Sequence, residues 1–219
     1  MQDSTAFKLL AFGAALSVLS ACVGTSFETV NFPAAKNLFD TIKTVPETMK
    51  WPQWTDCRTT YGDPALSVNG KFKANPDWEA ENLVMVKLPW KAKAAWNRKL
   101  PIRALQVHRQ AAPSLERALN AIWTQAGQSQ TEIDRIGLSQ VGGGYNFREN
   151  RSNAGLSTHA YGCAVDFDPV RNALGDDTPF LALPENRYVI DAFRKEGWAW
   201  GGNWPHPDGM HFQATYVTS

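Results

Sequence analysis

No long apolar run, no clustered cysteines and no dominant sign of charge occur in this chain of 219 residues, and each absence removes a class of function. Lys plus Arg number 22 against 21 Asp plus Glu, a formal net charge of +1, so the bulk composition gives no argument for a nucleic-acid partner. The three cysteines, Cys22, Cys57 and Cys163, show neither C-x-x-C spacing nor a cluster, so nothing in them suggests a thiolate metal site. Cys57 and Cys163 are expected to be unpaired, because spacing alone cannot place their Cα atoms within bridging distance. The longest apolar stretch, Leu9 to Ala21, is 13 residues, too short for an ordinary transmembrane helix but suited to the central region of a signal peptide. Three glycines at Gly142-Gly143-Gly144 are followed by no G-x-G-x-x-G or Walker pattern, so a flexible rim of a site is expected there rather than a phosphate cradle. Histidine is scarce, with four in the chain. Any imidazole chemistry must draw on His108, His159, His206 and His211.

With 43% apolar residues and nine tryptophans, the chain can bury one sizeable core. The organisation read from it is a leader over residues 1–21, an arm or tether over 22–50 and a single domain over 51–219. Trp51 to Pro64 is aromatic and turn-rich and reads as an irregular packed segment. Asn82 to Leu88 and Ile102 to His108 read as strands joined by a loop containing Pro89 and Trp90. Leu115, Leu119, Ile122 and Trp123 fall at helical spacing between Pro113 and Gly127, which predicts a helix over Pro113 to Ala126. Ile136 to Leu138 is expected to begin a strand. Pro184 to Glu196 reads as a second helix, with Val189, Ala192 and Phe193 inward. His108, alone before a helix start, reads as structural, and His206 as exposed on the Pro205 to Pro207 loop.

The chemistry concentrates in two short stretches, Ser157-Thr158-His159-Ala160-Tyr161-Gly162-Cys163-Ala164-Val165-Asp166-Phe167-Asp168 and Asp208-Gly209-Met210-His211-Phe212. Period-two alternation from Cys163 puts Ala164, Asp166 and Asp168 on one face of a strand and Cys163, Val165 and Phe167 on the other. His159 lies in the loop just before this strand, so its ring can swing to the side of Asp166. Met210 to Gln213 reads as a second strand in which His211 points away from both neighbours. Two strands and a loop can thus bring His159, Asp166 and His211 to one point. Two imidazoles and a carboxylate suit Zn²⁺, whose catalytic sites take three protein ligands and keep a fourth position for water. Asp208, three residues before His211, could take a proton from that water and pass it on, although Pro207-Asp208-Gly209 is also a sound turn. Asp168, before Pro169, reads as a turn or cap residue rather than a fourth ligand. The rings of Trp198, Trp200 and Trp204 could wall a cleft, with at least one of them purely structural.

The pattern S-x-H-x-x-G-x-A-x-D, then W-G-G-x-W, then D-x-x-H-F resembles the zinc D-alanyl-D-alanine carboxypeptidase and L-alanyl-D-glutamate peptidase family of peptidoglycan hydrolases. The resemblance is clear from about Gly142 to Gln213. It implies an α+β fold shared with the hedgehog signalling domain, in which a small antiparallel sheet carries the zinc site and helices pack on its other face. It implies one Zn²⁺ per chain held by His159, Asp166 and His211, with Asp208 as acid/base. It also implies an arginine that stabilises the oxyanion, for which Arg148 in Tyr145-Asn146-Phe147-Arg148 is the match and Arg151 the alternative. Tyr145, Ser157, Trp200 and Trp204 are the candidates for the substrate cleft. The implied partner is the peptidoglycan stem peptide, at its D-Ala-D-Ala end or between L-Ala and D-Glu. Leu19-Ser20-Ala21-Cys22 looks like a bacterial lipobox, which would make Cys22 a lipidated N-terminus and the protein an exported, membrane-anchored lipoprotein. A phage-derived lysis enzyme is the alternative origin.

Two other readings compete. Cys163 lies four residues after His159, which invites a thiol hydrolase, but alternation turns Cys163 away from Asp166 and favours a buried apolar role. A zinc-stabilised module that only holds cell wall would have no use for Asp208 or Arg148, and both are present.

Overall fold

A computed structural model of the protein describes residues 51–69, 71–150 and 155–216. The expected leader, Cys22, the whole of the 22–50 arm and Arg151 lie outside them. Val45–Ser219 forms one compact unit that holds the whole described hydrophobic core, from Trp51 to Ala214, and it is therefore of a kind that can fold by itself.

The fold is α+β. After a short helix α1 (Cys57–Tyr61) come a small antiparallel pair, β1 (Ala65–Val68) with β2 (Lys71–Ala74), and helix α2 (Pro76–Asn82). Asn75 starts α2 by accepting the amides of Asp77 and Trp78 on its side chain, as an N-cap does. A long hairpin follows, β3 (Leu83–Ala94) and β4 (Asn97–His108), then α3 (Ala112–Gln125), α4 (Gln130–Ile136), β5 (Gln140–Gly143), β6 (Ala164–Phe167), α5 (Arg187–Lys195), β7 (Ala199–Trp200) and β8 (His211–Gln213). Six strands form one sheet in the order β4-β3-β5-β6-β8-β7. Its pairings are antiparallel except for β3 with β5, which is parallel.

The sheet is built on the alternation expected for its central strands. Val165, Phe167 and Phe212 are fully buried and meet α5, where Phe193 stacks on Phe212 with ring centroids 4.0 Å apart and tilts against Phe167 at 6.4 Å. Burying a side chain of this size contributes about 1.5–3 kcal/mol, and it fixes the opposite face of β6 and β8 outward. Helix α3 presents Leu115, Ala118, Leu119 and Ile122 to the core, on the spacing that predicted it.

Several expectations are corrected. The segment around Pro89 and Trp90 is not a loop but part of β3, which accommodates them in a register shift between Lys87 and Ala92; a bulge tolerates proline because it frees the backbone from the ladder. Trp90 turns into the core there and donates its indole N–H to the Leu138 carbonyl at 3.0 Å. Ile136 to Leu138 does not begin a strand: Ile136 ends α4, and Gly137 caps it in the left-handed region at φ 88°. The three glycines form no flexible rim, because Gly142 and Gly143 are in β5, paired with β6. Helix α1 lies within Trp51 to Pro64, the segment expected to be irregular.

Candidate metal centre

Asp166 sits in the middle of the sheet, opposite Gly143 on one side and His211 on the other. Close approach of β5 requires glycine, since a Cβ on Gly142 would lie 2.7 Å from Asp166 Cβ. His159 arrives from a 3-10 turn, Thr158–Tyr161, capped by Ser157, whose hydroxyl accepts the His159 amide at 3.3 Å. The turn ends at Gly162 in the left-handed region (φ 65°), where a side chain would also strike the His108 backbone.

Among the described residues, His159, Asp166 and His211 form the one group able to hold a metal ion. His159 Nε2 lies 3.2 Å from His211 Nδ1 and 3.2 Å from Asp166 Oδ2, and His211 Nδ1 lies 2.9 Å from Asp166 Oδ1. The remaining ring nitrogens settle the tautomers. His159 Nδ1 donates to the Gly144 carbonyl at 2.7 Å, and His211 Nε2 donates to Gln213 Oε1 at 3.0 Å with Thr158 Oγ1 at 3.4 Å. Both inward-facing nitrogens therefore present lone pairs, and they meet a carboxylate. Three acceptors at van der Waals contact or closer need a cation among them, a proton or a metal. Tetrahedral coordination with bonds of about 2.0 Å sets ligand atoms about 3.3 Å apart, close to the spacings here. Outer acceptors that orient metal-binding imidazoles are a regular part of such centres. The residues fit a zinc-type ion.

Electrostatics agree with a cation-holding cluster. Burial alone would push Asp166 up, but the His159 imidazole and then His211 hold its carboxyl far below the usual range. Burial opposes charge on His211, yet its hydrogen bond to Asp166 and the Asp166 charge raise its pKa above the ordinary value. A metal would replace the proton that this arrangement attracts.

Asp208 lies beside the cluster. Its backbone carbonyl accepts the His211 amide at 3.1 Å, and its own amide donates to Gly201 at 2.9 Å. A Cβ at Gly201 would come within 2.6 Å of the Asp208 carbonyl oxygen, which explains a glycine there. Asp208 Oδ1 is buried without a hydrogen-bond partner among the described residues. Burial raises its pKa, as does the Asp166 charge, while His211, His159 and Arg148 oppose the rise. A carboxylate that shares an electrostatic field with all three cluster residues and keeps a bare, buried oxygen is equipped to receive a proton.

Residues 150–214, which span all four of these side chains, match the family model for D-alanyl-D-alanine carboxypeptidase. The match covers that segment alone, under half of the chain, and shows what the segment is similar to. No curated protein and no solved structure matches the chain. The family segment is thus a peptidase-type segment with a metal-competent His-Asp-His cluster at its centre.

The other site expectations divide. Arg148 falls two residues before the family segment; its guanidinium donates to the Glu149 carbonyl at 3.4 Å and reaches Asp208 through its charge alone. Tyr145 is half-buried, lies tilted against Trp78 with ring centroids 6.3 Å apart, and donates to Glu79 Oε1 at 2.5 Å. Ser157 is buried and acts on the His159 turn rather than lining a cleft. Trp200 is no cleft wall either: it is buried, its indole N–H donates to the Gly209 carbonyl at 2.8 Å, and its ring occupies the space beside Gly202 that a Cβ would need. Trp198 is likewise structural, bonded to Ser114. Trp204 is the tryptophan at the site, 5.4 Å from the His211 ring. Asp168 makes a turn at φ 45° and pairs with Arg171. Cys57 and Cys163 are buried free thiols, and Cys163 points away from Asp166 into the core.

Sequence reasoning missed Gln213 and the Gly144 carbonyl, which orient the two imidazoles. Gln213 carried a usable signal, since it lies two residues from His211 on the same strand face. A backbone carbonyl carries none.

Proposed function

We propose that the chain is a zinc-dependent peptidase that hydrolyses peptidoglycan stem peptides, acting as a D-alanyl-D-alanine carboxypeptidase. The observation that carries the reading is the meeting of His159 Nε2, His211 Nδ1 and Asp166 beside the unpartnered Asp208 oxygen, inside a segment matched to that family. His159, Asp166 and His211 would hold the ion. When bound there, zinc supplies Lewis acidity toward a peptide carbonyl and lowers the pKa of water to roughly 7.

The protein's own residues do the rest. Asp208 takes the proton of the attacking water on its bare Oδ1 and delivers it to the departing amine nitrogen. Burial raises its pKa, which makes its carboxylate a readier proton acceptor than an exposed one. Arg148, drawn in by substrate, places positive charge against the oxyanion. Trp204 covers the His211 ring and excludes water from one side of the site. Lipidation at Cys22 would hold the enzyme on the membrane, facing the wall that supplies its substrate.

The test separates metal from proton transfer. Asp208→Ala is expected to keep zinc and lose turnover, whereas His211→Ala loses both. A zinc-replete Asp208→Ala protein with full activity would remove Asp208 from the role given to it.

A further inference from the structure

The near-neutral total conceals a strongly asymmetric distribution of charge. Between Leu83 and Leu115 lie seven of the chain's Lys and Arg residues and none of its Asp and Glu residues. They are Lys87, Lys91, Lys93, Arg98, Lys99, Arg103 and Arg109, and they sit on the β3–β4 hairpin or at its foot. All seven are exposed. Arg109 pairs with Glu81 at 3.6 Å; among the described residues no carboxylate pairs with the other six. At the tip, where Ala94 faces Asn97 across the turn, Trp96 is 66% exposed, and Leu100 beyond it is 42% exposed.

Protection of a sheet edge explains part of this pattern. β4 is an edge strand, and Lys, Arg and Pro101 on it discourage pairing with another chain. That account leaves two observations over. Lys87, Lys91 and Lys93 are on β3, which is not an edge strand, and they alternate with buried Val86, Leu88, Ala92 and Ala94, so a cationic outer face is laid down deliberately by the strand period. Edge protection also gives no reason for a bare tryptophan at the tip, since a large exposed apolar ring invites the association that the charges discourage.

We infer that the β3–β4 hairpin is a docking surface for a membrane rich in anionic lipid, with Trp96 and Leu100 entering the interface and Arg98, Lys99 and the outward lysines of β3 contacting the headgroups. Tryptophan flanked by cations is the side-chain combination that partitions to the headgroup layer. Each Lys or Arg near such a surface contributes about 1 kcal/mol, close to a fivefold gain in partitioning. A soluble polyanion would use the cations but has less use for Leu100. The inference stands apart from the proposed peptidase and from the reading of Cys22. Were Cys22 acylated, the hairpin would be the second of the two signals that stable anchoring takes.

The test uses Val45–Ser219, which lacks Cys22, with vesicles of phosphatidylcholine alone and of phosphatidylcholine and phosphatidylglycerol in equal parts. Cosedimentation with the anionic vesicles alone is expected, falling as salt is added, with a blue shift of tryptophan emission that Trp96→Ala abolishes. The double substitution Arg98→Gln/Lys99→Gln is expected to weaken partitioning about thirtyfold while zinc content stays unchanged. Since both positions are exposed, circular dichroism should match the parent; the salt titration of the unaltered protein gives an independent reading if it does not. Equal binding to both vesicle types, no binding to either, or retention on heparin without vesicle binding would each overturn the inference, the last in favour of a soluble polyanion.

Discussion

Replacing Gln213 by leucine isolates the contribution of the residues behind the metal ligands. Gln213 is buried, and its Oε1 accepts from His211 Nε2 at 3.0 Å while its Nε2 donates to Thr215 Oγ1 at 2.5 Å. Leucine keeps the volume and removes the acceptor. His211 Nε2 then retains only Thr158 Oγ1, at 3.4 Å, too long to hold the ring with its Nδ1 turned inward. Loss of such an orienting partner lowers metal affinity by about 10- to 100-fold, equivalent to about 1.4–2.8 kcal/mol. The stranded N–H adds about 1–3 kcal/mol of destabilisation to the metal-free protein. Competition for zinc against a chromogenic chelator measures the first effect, and urea unfolding without metal the second. Gln213→Glu supplies a stronger acceptor at the same place and is expected to keep zinc affinity at or above that of the parent. A Gln213→Leu protein that binds zinc as tightly as the parent would refute the assignment of the His211 tautomer and with it the geometry of the cluster.

Two further outcomes follow from the packing around the site. Gly142→Ala puts a methyl group 2.7 Å from Asp166 Cβ, so strand β5 or Asp166 must move; a stability loss of about 1–3 kcal/mol with weakened zinc binding is expected, and an unchanged melting temperature and affinity would contradict the close approach. His108 is buried, donates to the Tyr61 carbonyl at 3.2 Å and accepts the Gln110 amide at 3.1 Å, and burial lowers its pKa to about 4. The unfolded chain thus binds a proton that the folded one refuses, so stability is complete above about pH 6.5 and falls by about 2–3 kcal/mol as the pH drops toward 4. Urea midpoints across that window should fall less steeply in His108→Gln than in the parent; parallel slopes would assign the acid sensitivity elsewhere.

What could be read from the sequence was what side chains specify by period. Asp166 and His211 alternate with Val165, Phe167 and Phe212, and the burial of those apolar neighbours against Phe193 is what turns the ligands outward. Helix α3 was legible for the same reason, its apolar spacing bounded by Pro113 and Gly127. Glycine and proline were read less well, because one residue type serves opposite ends. Gly142 and Gly143 looked like a flexible rim, yet β5 uses them to approach Asp166 where a side chain would collide. Pro89 looked like a loop residue, yet a bulge keeps it in β3. Arg148 shows another limit: its identity is local, but where its long side chain rests without substrate is set by the surrounding loop. Trp200 and Trp204 stand four residues apart in one glycine-rich run, and only the fold separates the buried indole bonded to Gly209 from the ring beside His211.

The central claim is that His159, Asp166 and His211 hold a zinc ion that serves peptide hydrolysis. It is tested most directly by measuring metal content and stem-peptide cleavage together on the chain from Val23 onward. The account predicts one zinc per chain and release of D-alanine; cleavage between L-Ala and D-Glu would keep the peptidase and change its specificity. Folded protein that takes up no zinc, or zinc-loaded protein that cleaves no stem peptide, would contradict it.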